Sequence, residues 1–276
     1  MSGTLYLVPT PIGNLGDLSD RIRETLSAVD FIAAEDTRVS LRLLNHLGLK
    51  KPLVSYYEHN RAESGPRILS RILAGENCAL VTDAGTPAIS DPGQDLVALC
   101  ARSGVPVCAI PGPCAAVTAL AASGLPTGRF TFEGFLSTAP KSRRAHLDSL
   151  REEHRTMIFY EAPHKLTRTL SDFLSVFGPE RRISLCRELT KIHEEILRMT
   201  LSEAVSCYEA RPPRGEYVLI VEGAPLPAPD PAPSLPDAVE QVNALLSQGL
   251  RRKEAVKQVS ESLGIPKNIL YEASLS

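Results

Sequence analysis

The sequence predicts an α/β fold made of two successive α/β domains and a small helical module. Short apolar strands alternate with helical patterns through residues 1–120, and a second such series covers residues 121–223. In the first series, the alternation is typical of a mostly parallel sheet with helices on both faces. The composition then changes at residues 224–236, where six of 13 residues are proline, ahead of a tail at 237–276. We therefore place domain boundaries near 120, 223 and 236.

In the first domain, capping residues and apolar spacing indicate the helices. Ser19 can cap a helix that carries Ile22 and Leu26 on one face. Leucines at 41, 44 and 47 repeat at helical spacing until Gly48 ends that helix. Further helices are predicted at 68–73 and 96–101. The predicted strands are 5–8, 31–34, 53–56, 79–82 and 105–110.

The second domain shows the same mixture of apolar strands and helices. Pro163 suits the start of a helix. The N–H groups of the first helical turn have no acceptor within the helix, so the N–H that proline lacks costs no hydrogen bond there. The predicted strands are 130–135, 156–160, 183–187 and 217–222, and the predicted helices are 145–150, 163–173 and 202–208.

The proline-rich segment 224–236 is predicted to be an extended spacer. Residues 237–276 are interpreted as three short helices, broken near Gly249 and Gly264, that resemble a helix-turn-helix unit with Pro266 opening the last helix. The tail has too few apolar residues to predict that it folds alone. It carries no net charge, yet a basic cluster permits phosphate contact. That cluster is Arg251, Arg252, Lys253 and Lys257.

Composition excludes several classes of protein. A net charge of -2 argues against a basic surface over the whole protein, although a local basic patch remains possible. The six cysteines lack CxxC or Cys/His spacing, so we expect reduced thiols, no metal site and a cytoplasmic protein. No apolar run approaches the ~18 residues that a membrane helix needs, and the start of the chain lacks a basic leader, so we expect no membrane segment.

Three proline-containing loops follow apolar strands, at residues 8–14, 83–93 and 110–114, and we call them the first, second and third proline loops. Because ligands of parallel sheets bind at the carboxyl ends of strands, we expect the loops to converge on one pocket. Such loops offer carbonyls and few N–H donors, which suits a ligand with a positive centre better than phosphate. S-adenosylmethionine, with its sulfonium and amino group, is such a ligand. The common dinucleotide, P-loop, zinc protease and serine hydrolase motifs are absent.

Eight segments, in order, resemble the bacterial rRNA methyltransferases of the tetrapyrrole methylase superfamily over nearly the whole chain. They are LYLVPTPIGNLGDLS (5–19), AAEDTR (33–38), DAGTPAISDPG (83–93), IPGP (110–113), FEGFL (132–136), YEAPHKL (160–166), RELTKIHEE (187–195) and RGEYVLIVEG (214–223). The resemblance implies two α/β domains of the tetrapyrrole methylase type, S-adenosylmethionine in the cleft between them, and a homodimer. It also implies 2′-O-methylation of a cytidine ribose in the decoding region of 16S rRNA, with that rRNA or the small ribosomal subunit as partner.

The resemblance assigns residues to two surfaces. The expected cofactor contacts are Pro9, Pro11, Gly85, Thr86, Ala88, Ile89, Ser90, Cys114, Ala115, Ala162 and Pro163. To these we add Asp83, which either contacts the ligand or caps its own loop. The expected RNA contacts are Arg38, Lys141, Arg143, Arg144 and Arg187. Relatives usually continue FEGFL with a proline and a compact basic run, whereas this chain has STAPKSRRAHL, which changes the loop that carries three of these cations.

Methyl transfer to a ribose hydroxyl needs a group that accepts the proton or stabilises the charge it leaves. The candidates are Asp36, Glu161, Glu188 and Lys191, and we favour Glu188 and Lys191 because RELTK follows a predicted strand. Two other functions remain open. One is methylation of a tetrapyrrole precursor with the same cofactor, and the other is a non-catalytic RNA-binding assembly factor.

Overall fold

A computed structural model describes residues 2–226 and 234–275. Contacts divide the chain into two compact units, Met1–Ala224 and Pro225–Ser276. The first unit contains two five-stranded sheets, and the second contains three helices. The predicted spacer at 224–236 falls largely outside the described residues, and the domain boundaries at 120, 223 and 236 stay predictions.

The first sheet is entirely parallel, with strand order β3-β2-β4-β1-β5. Its strands are β1 (Leu5–Leu7), β2 (Phe31–Ala34), β3 (Leu53–Ser55), β4 (Cys78–Val81) and β5 (Val107–Ala109). Apolar clusters cover both faces, one around Phe31 and Leu80 and the other around Ile22 and Ile32. The carboxyl ends of the strands therefore open on one edge of a sheet that is buried on both sides.

The helices of the first half follow the predicted signals with two exceptions. They are α1 (Asp20–Ala28), α2 (Thr37–Leu47), α3 (Arg61–Leu73), α4 (Gln94–Arg102) and α5 (Ala115–Ala122), with a short 3₁₀ helix at Leu15–Asp17. Ser19 accepts a hydrogen bond from the Ile22 N–H at 3.3 Å, and Gly48 ends α2 with φ 70°. Helix α3 starts earlier than predicted because its buried face overrides the breaking effect of Pro66. The alanine-rich α5 was not predicted.

The second sheet is mixed, with strand order β6-β7-β10-β8-β9, and only the β6–β7 pair is parallel. Its strands are β6 (Phe130–Phe135), β7 (Thr156–Glu161), β8 (Arg182–Arg187), β9 (Glu195–Thr200) and β10 (Tyr217–Val221). The helices that accompany them are α6 (Pro140–Ser149), α7 (Pro163–Phe177) and α8 (Leu201–Ala210). Strand β9 was not predicted, since this half-exposed edge strand lacks a clear apolar pattern.

The second unit consists of α9 (Leu235–Ser247), α10 (Arg252–Leu263) and α11 (Lys267–Ala273). Gly249 and Gly264 have φ of 92° and 66°, so the breaks between helices lie where the glycines predicted them. Apolar side chains of all three helices form a core, with Val242, Val256 and Leu270 at or below 3% exposure. The tail thus forms more of a core than its composition led us to expect. No helix in the described ranges is long and apolar enough to cross a bilayer.

The aromatic stack in the second sheet's core gives a stability prediction. Phe173 is fully buried, and its ring centroid lies 4.8 Å from that of Phe159 and 5.4 Å from that of Phe177. We expect Phe173→Ala to lower the free energy of unfolding by about 3–5 kcal/mol in urea titrations, because it leaves a cavity. Phe130→Ala, at a position that is 43% exposed, is the matched control. Equal losses in the two variants would contradict this view of the core.

Candidate functional site

Hydrogen bonds join the three proline loops at the carboxyl edge of the first sheet. Thr10 and Gly85 exchange backbone hydrogen bonds of 2.9 and 3.0 Å, which links the first loop to the second. The Thr86 hydroxyl donates to the Pro113 carbonyl at 2.9 Å, which links the second loop to the third. Gly85 has φ 89°, a conformation that favours glycine. The predicted convergence of the loops is confirmed.

The joined loops form one wall of a cavity of about 390 Å³, which we call the main cavity. Residues from the ends of β7 and β10 in the second sheet also line it. Eight of the predicted cofactor residues lie in its lining: Asp83, Gly85, Thr86, Ile89, Ser90, Cys114, Ala115 and Ala162. Four others are not in that lining: Pro9, Pro11, Ala88 and Pro163. The structure therefore gathers most of the predicted set around one space.

Several lining residues were not singled out from the sequence. They include Ile12, Glu35, Asp91, Phe135, Tyr160, Leu189, Glu216 and Val218. Two of them carried a signal, because Glu35 directly follows a strand and Asp91 lies within the second proline loop. The Tyr160 hydroxyl accepts a hydrogen bond from the Ala116 N–H at 3.2 Å, so this ring connects the second sheet to α5.

Three carboxylates give the main cavity an acidic wall. The Glu35 carboxylate accepts hydrogen bonds from the Thr82 hydroxyl at 2.6 Å and the Asp83 N–H at 3.4 Å. Burial, reinforced by the charge of Glu35, raises the pKa of Asp91 to about 6 and also raises the pKa of Asp83. Crowded, partly buried carboxylates favour a positively charged ligand, which would lower these pKa values again.

Backbone strain is concentrated beside this cavity. Among the described residues, four non-glycine residues have a positive φ: Ala88 (69°), Ser90 (66°), Glu188 (51°) and Thr190 (64°). Two belong to the second proline loop and two to the turn that follows β8. Non-glycine residues adopt this conformation at a cost of about 1–3 kcal/mol and keep it only where their surroundings enforce it. Both loops are thus held in specific shapes.

Lys191 extends from that turn into the main cavity. Its Nζ donates to Glu188 at 2.9 Å and to Glu216 at 2.8 Å. Partial burial would lower the pKa of Lys191, but the two carboxylates outweigh it and raise the pKa. The aliphatic stem passes so close to Gly13 that a Cβ there would lie 2.5 Å from the lysine Cγ. Lys191 therefore carries a fixed positive charge beside the first proline loop.

The other two predicted catalytic residues have different surroundings. Glu188 lines a separate basic cavity of about 500 Å³, and the hydrogen bonds from Lys191 and the Glu216 N–H lower its pKa in spite of partial burial. Hydrogen bonds from Arg38 lower the pKa of Asp36 to about 2. Carboxylates held ionised in this way are weak bases. The basic cavity also contains Arg187, His193, Arg211 and Arg214.

One predicted RNA contact requires correction. Arg143 is only 4% exposed, and its guanidinium donates to Asp172 at 2.6 Å and to the Thr169 hydroxyl at 2.7 Å. The Thr169 hydroxyl in turn donates to Glu161, a residue of the main cavity. The sequence showed a basic run, but it could not show that Arg143 points inward from α6. The prediction that Arg143 contacts RNA is therefore wrong. Arg38, Lys141 and Arg144 are exposed, and Arg187 is half-buried against Glu195 at 3.1 Å.

Comparison with known proteins identifies the family. The family model for tetrapyrrole (corrin/porphyrin) methylases matches residues 4–205. The chain belongs to the tetrapyrrole methylase family. It is 47% identical to a Synechocystis protein over 99% of this chain and 98% of that one, and 49% identical to a Halalkalibacterium halodurans protein over 98% and 93%. Both relatives are named ribosomal RNA small subunit methyltransferase I.

A solved uroporphyrin-III-C-methyltransferase from Thermus thermophilus shares the fold, with TM-score 0.55 and 21% identity over 80% of this chain and 94% of that one. The predicted fold class is confirmed. Methyltransferases of the tetrapyrrole methylase family use S-adenosylmethionine, the predicted cofactor. The acidic wall of the main cavity fits the sulfonium and amino group of that molecule. The described residues form no group of three or more His, Cys, Asp or Glu that could hold a metal ion.

The buried chain from Arg143 to Glu161 gives a prediction about cofactor affinity. We expect Arg143→Met to weaken S-adenosylmethionine binding about tenfold in calorimetry, because the Thr169 hydroxyl loses the Arg143 hydrogen bond that orients it toward Glu161 (a hydrogen bond to a charged group contributes about 1.5–3 kcal/mol). Arg168→Met removes an exposed cation that lies 4.0 Å from the same Asp172, and it should leave the affinity unchanged. Equal affinities in the two variants would show that the buried chain does not support the site.

The raised pKa of Asp91 predicts a pH dependence of stability. A carboxyl whose pKa is about 6 when folded and 3.8 when unfolded binds more protons in the native state, so its ionisation destabilises the fold as pH rises from about 4 to 6. We expect cofactor-free Asp91→Asn to become more stable than wild type across that window, by about 2 kcal/mol at pH 7 in urea titrations. Asp95→Asn, an exposed site on α4, is the control. Parallel curves for Asp91→Asn and wild type would contradict the assignment.

Proposed function

We propose that this protein is an S-adenosylmethionine-dependent methyltransferase of small-subunit rRNA that methylates a cytidine ribose 2′-hydroxyl in the decoding region. The observation that carries the proposal is near full-length identity of 42–49% to several proteins named ribosomal RNA small subunit methyltransferase I. Likeness to tetrapyrrole enzymes stays at or below 21% identity and concerns the fold alone. The structure adds a basic cavity beside an acidic one, an arrangement that suits RNA next to a cationic cofactor.

We assign the cofactor to the main cavity. Asp83 and Asp91 would face its positive groups, and Ile89 and Leu189 would contribute apolar contacts. The other proposed contacts are Gly85, Thr86, Ser90, Cys114, Ala115 and Ala162. S-adenosylmethionine supplies an activated methyl group on a sulfonium whose positive charge disappears on transfer. The fixed loop shapes around Ala88 and Ser90 orient the methyl donor relative to the ribose hydroxyl before the reaction. A displacement of this kind gains much of its rate from such prior orientation.

Lys191 is the catalytic residue that we favour. Its ammonium lies in the main cavity and stabilises negative charge on the ribose oxygen while the hydroxyl proton passes to a solvent water, so that the transfer yields the methyl ether, the neutral demethylated cofactor and one proton. Glu188 holds the ammonium in place through their 2.9 Å hydrogen bond and so acts as a positioning residue. Asp36 acts in the same way on Arg38, with which it forms an ion pair.

The RNA backbone is assigned to five cations. Arg187 and Arg214 lie in the basic cavity, while Arg38, Lys141 and Arg144 are exposed on other elements. Because the net charge is only -2, phosphate contact depends on these individual cations rather than on the field of the whole protein. A homodimer remains a prediction.

Transfer of a labelled methyl group tests the proposal. We expect the wild-type protein to label small ribosomal subunits from cells that lack its gene, and to leave subunits that already carry the mark unlabelled. Lys191→Met should reduce kcat at least about 100-fold while retaining the cofactor, since it removes one charge-stabilising group. Mapping of the product should locate the methyl group on a cytidine ribose of 16S rRNA.

The other two functions give distinct results in the same assay. If the protein labels a tetrapyrrole precursor and does not label subunits, its substrate is the tetrapyrrole and not rRNA. Cofactor-free protein that binds subunits, shows no calorimetric signal with S-adenosylmethionine and transfers nothing would instead indicate an assembly factor.

A further inference from the structure

The charges of the second unit are segregated, although residues 237–276 carry no net charge. Its first helix, α9, contains Asp237 and Glu240 and no cation. The cations of the unit all fall between residues 251 and 267, on α10, on the residue before it and at the start of α11. None of the roles proposed above uses these cations.

One member of the predicted basic cluster has a structural role instead. The Arg252 guanidinium donates to the backbone carbonyl of Ser274, which connects the start of α10 to the end of α11. Arg252 is half-buried, whereas Arg251, Lys253 and Lys257 are exposed. Phosphate contact is therefore left to the exposed members of the cluster.

A row of exposed charges runs along α10. Lys253, Lys257 and Glu261 follow one another at four-residue spacing, which places them on the same side of the helix. The Lys267 ammonium pairs with the Glu261 carboxylate at 3.3 Å, so the first residue of α11 lies at the end of this row. We call Lys253, Lys257 and Lys267 the cationic face. Glu261 offsets one of its charges, and within the described residues neither Lys253 nor Lys257 forms an ion pair.

The row is unfavourable for the helix that carries it. Like charges four residues apart repel each other, and Lys253 lies in the first turn, where the helix dipole disfavours a cation. The buried apolar side chains of α10, Val256 and Val259 among them, belong to the core of the unit, so packing does not require the lysines. A polyanion that binds to this side of α10 supplies the missing countercharge.

The cationic face suits the backbone of a nucleic acid. Phosphates recur along such a strand, and cations about 6 Å apart along a helix axis can make repeated contacts with them. A helix that binds an anionic lipid surface also needs exposed apolar side chains to bury in the bilayer. Val256 and Val259 of α10 are each only 3% exposed, so this helix offers a lipid surface charge without an apolar face.

We infer that the cationic face binds the rRNA backbone of the small ribosomal subunit and so anchors the protein to its substrate. The inference rests on the proposed function. The contact is made to phosphates and does not depend on the identity of the bases. Because both units belong to one chain, binding by the second unit raises the effective concentration of the substrate RNA at the first. The cationic face thus contributes to substrate affinity and takes no part in methyl transfer.

Removal of two charges tests this inference. We expect the neutral variant, Lys253→Met/Lys257→Met, to raise the Kd for unmethylated small subunits at least about tenfold at about 0.1 M KCl. The slope of log Kd against log salt concentration should fall by about 1.5, since each phosphate contact contributes about 0.7–0.9. At saturating subunits kcat should stay within about twofold of wild type, as should the Kd for S-adenosylmethionine. The Tm should not fall, because the two lysines are exposed.

Two controls separate local contact from net charge. The charge control, Arg23→Met/Arg102→Met, removes two exposed cations from α1 and α4 and should bind subunits as wild type does. The arginine variant, Lys253→Arg/Lys257→Arg, keeps both charges and should retain the wild-type affinity and salt dependence.

Several results would overturn the inference. A neutral variant with the wild-type Kd and slope would do so, as would an equal loss of affinity in the charge control. Loss of affinity in the arginine variant as well would indicate a structural role for the lysines. If wild type binds phosphatidylglycerol vesicles and the neutral variant loses only that binding, the partner is a membrane surface. Failure of wild type to methylate subunits would refute the proposed function, while the binding measurements would still decide whether the cationic face contacts RNA.

Discussion

The pairing of Thr10 with Gly85 is the constraint on which the site depends. It fixes the first proline loop against the second, and the Thr86 hydroxyl extends the connection to the third loop. Prolines cannot supply many backbone donors of their own, so a few well-placed N–H and hydroxyl groups must hold these loops together. Without the pairing, each loop would leave its strand separately and no common wall would exist.

The same geometry separates charges of opposite sign over a short distance. Glu35, Asp83 and Asp91 make one wall acidic, whereas Lys191 and the neighbouring arginines make the adjacent surface basic. Lys191 belongs to both environments, because it lines the main cavity and binds Glu188 of the basic one. A cationic donor and an anionic acceptor can therefore be held side by side without competing for the same protein groups.

The sequence allowed nine of the ten strands, the proline loops and half of the main cavity's lining to be predicted, because these depend on local apolar runs and turn residues. It could not show the direction of Arg143, since a basic run on a helix looks the same whether one member points inward or not. It also missed the alanine-rich α5, and it missed β9 because this half-exposed edge strand lacks a clear apolar pattern. The acidity of Asp91 depends on burial and on Glu35, which is distant in sequence.

The left-handed conformations of Ala88, Ser90, Glu188 and Thr190 affect how quickly a ligand comes and goes. Because folding has already restricted these loops, little conformational entropy remains to be lost when a ligand arrives. Encounter then requires no slow rearrangement of the backbone, and the lifetime of the complex, rather than its rate of formation, determines affinity. For an enzyme that must release its spent cofactor after each turnover, that lifetime also limits throughput.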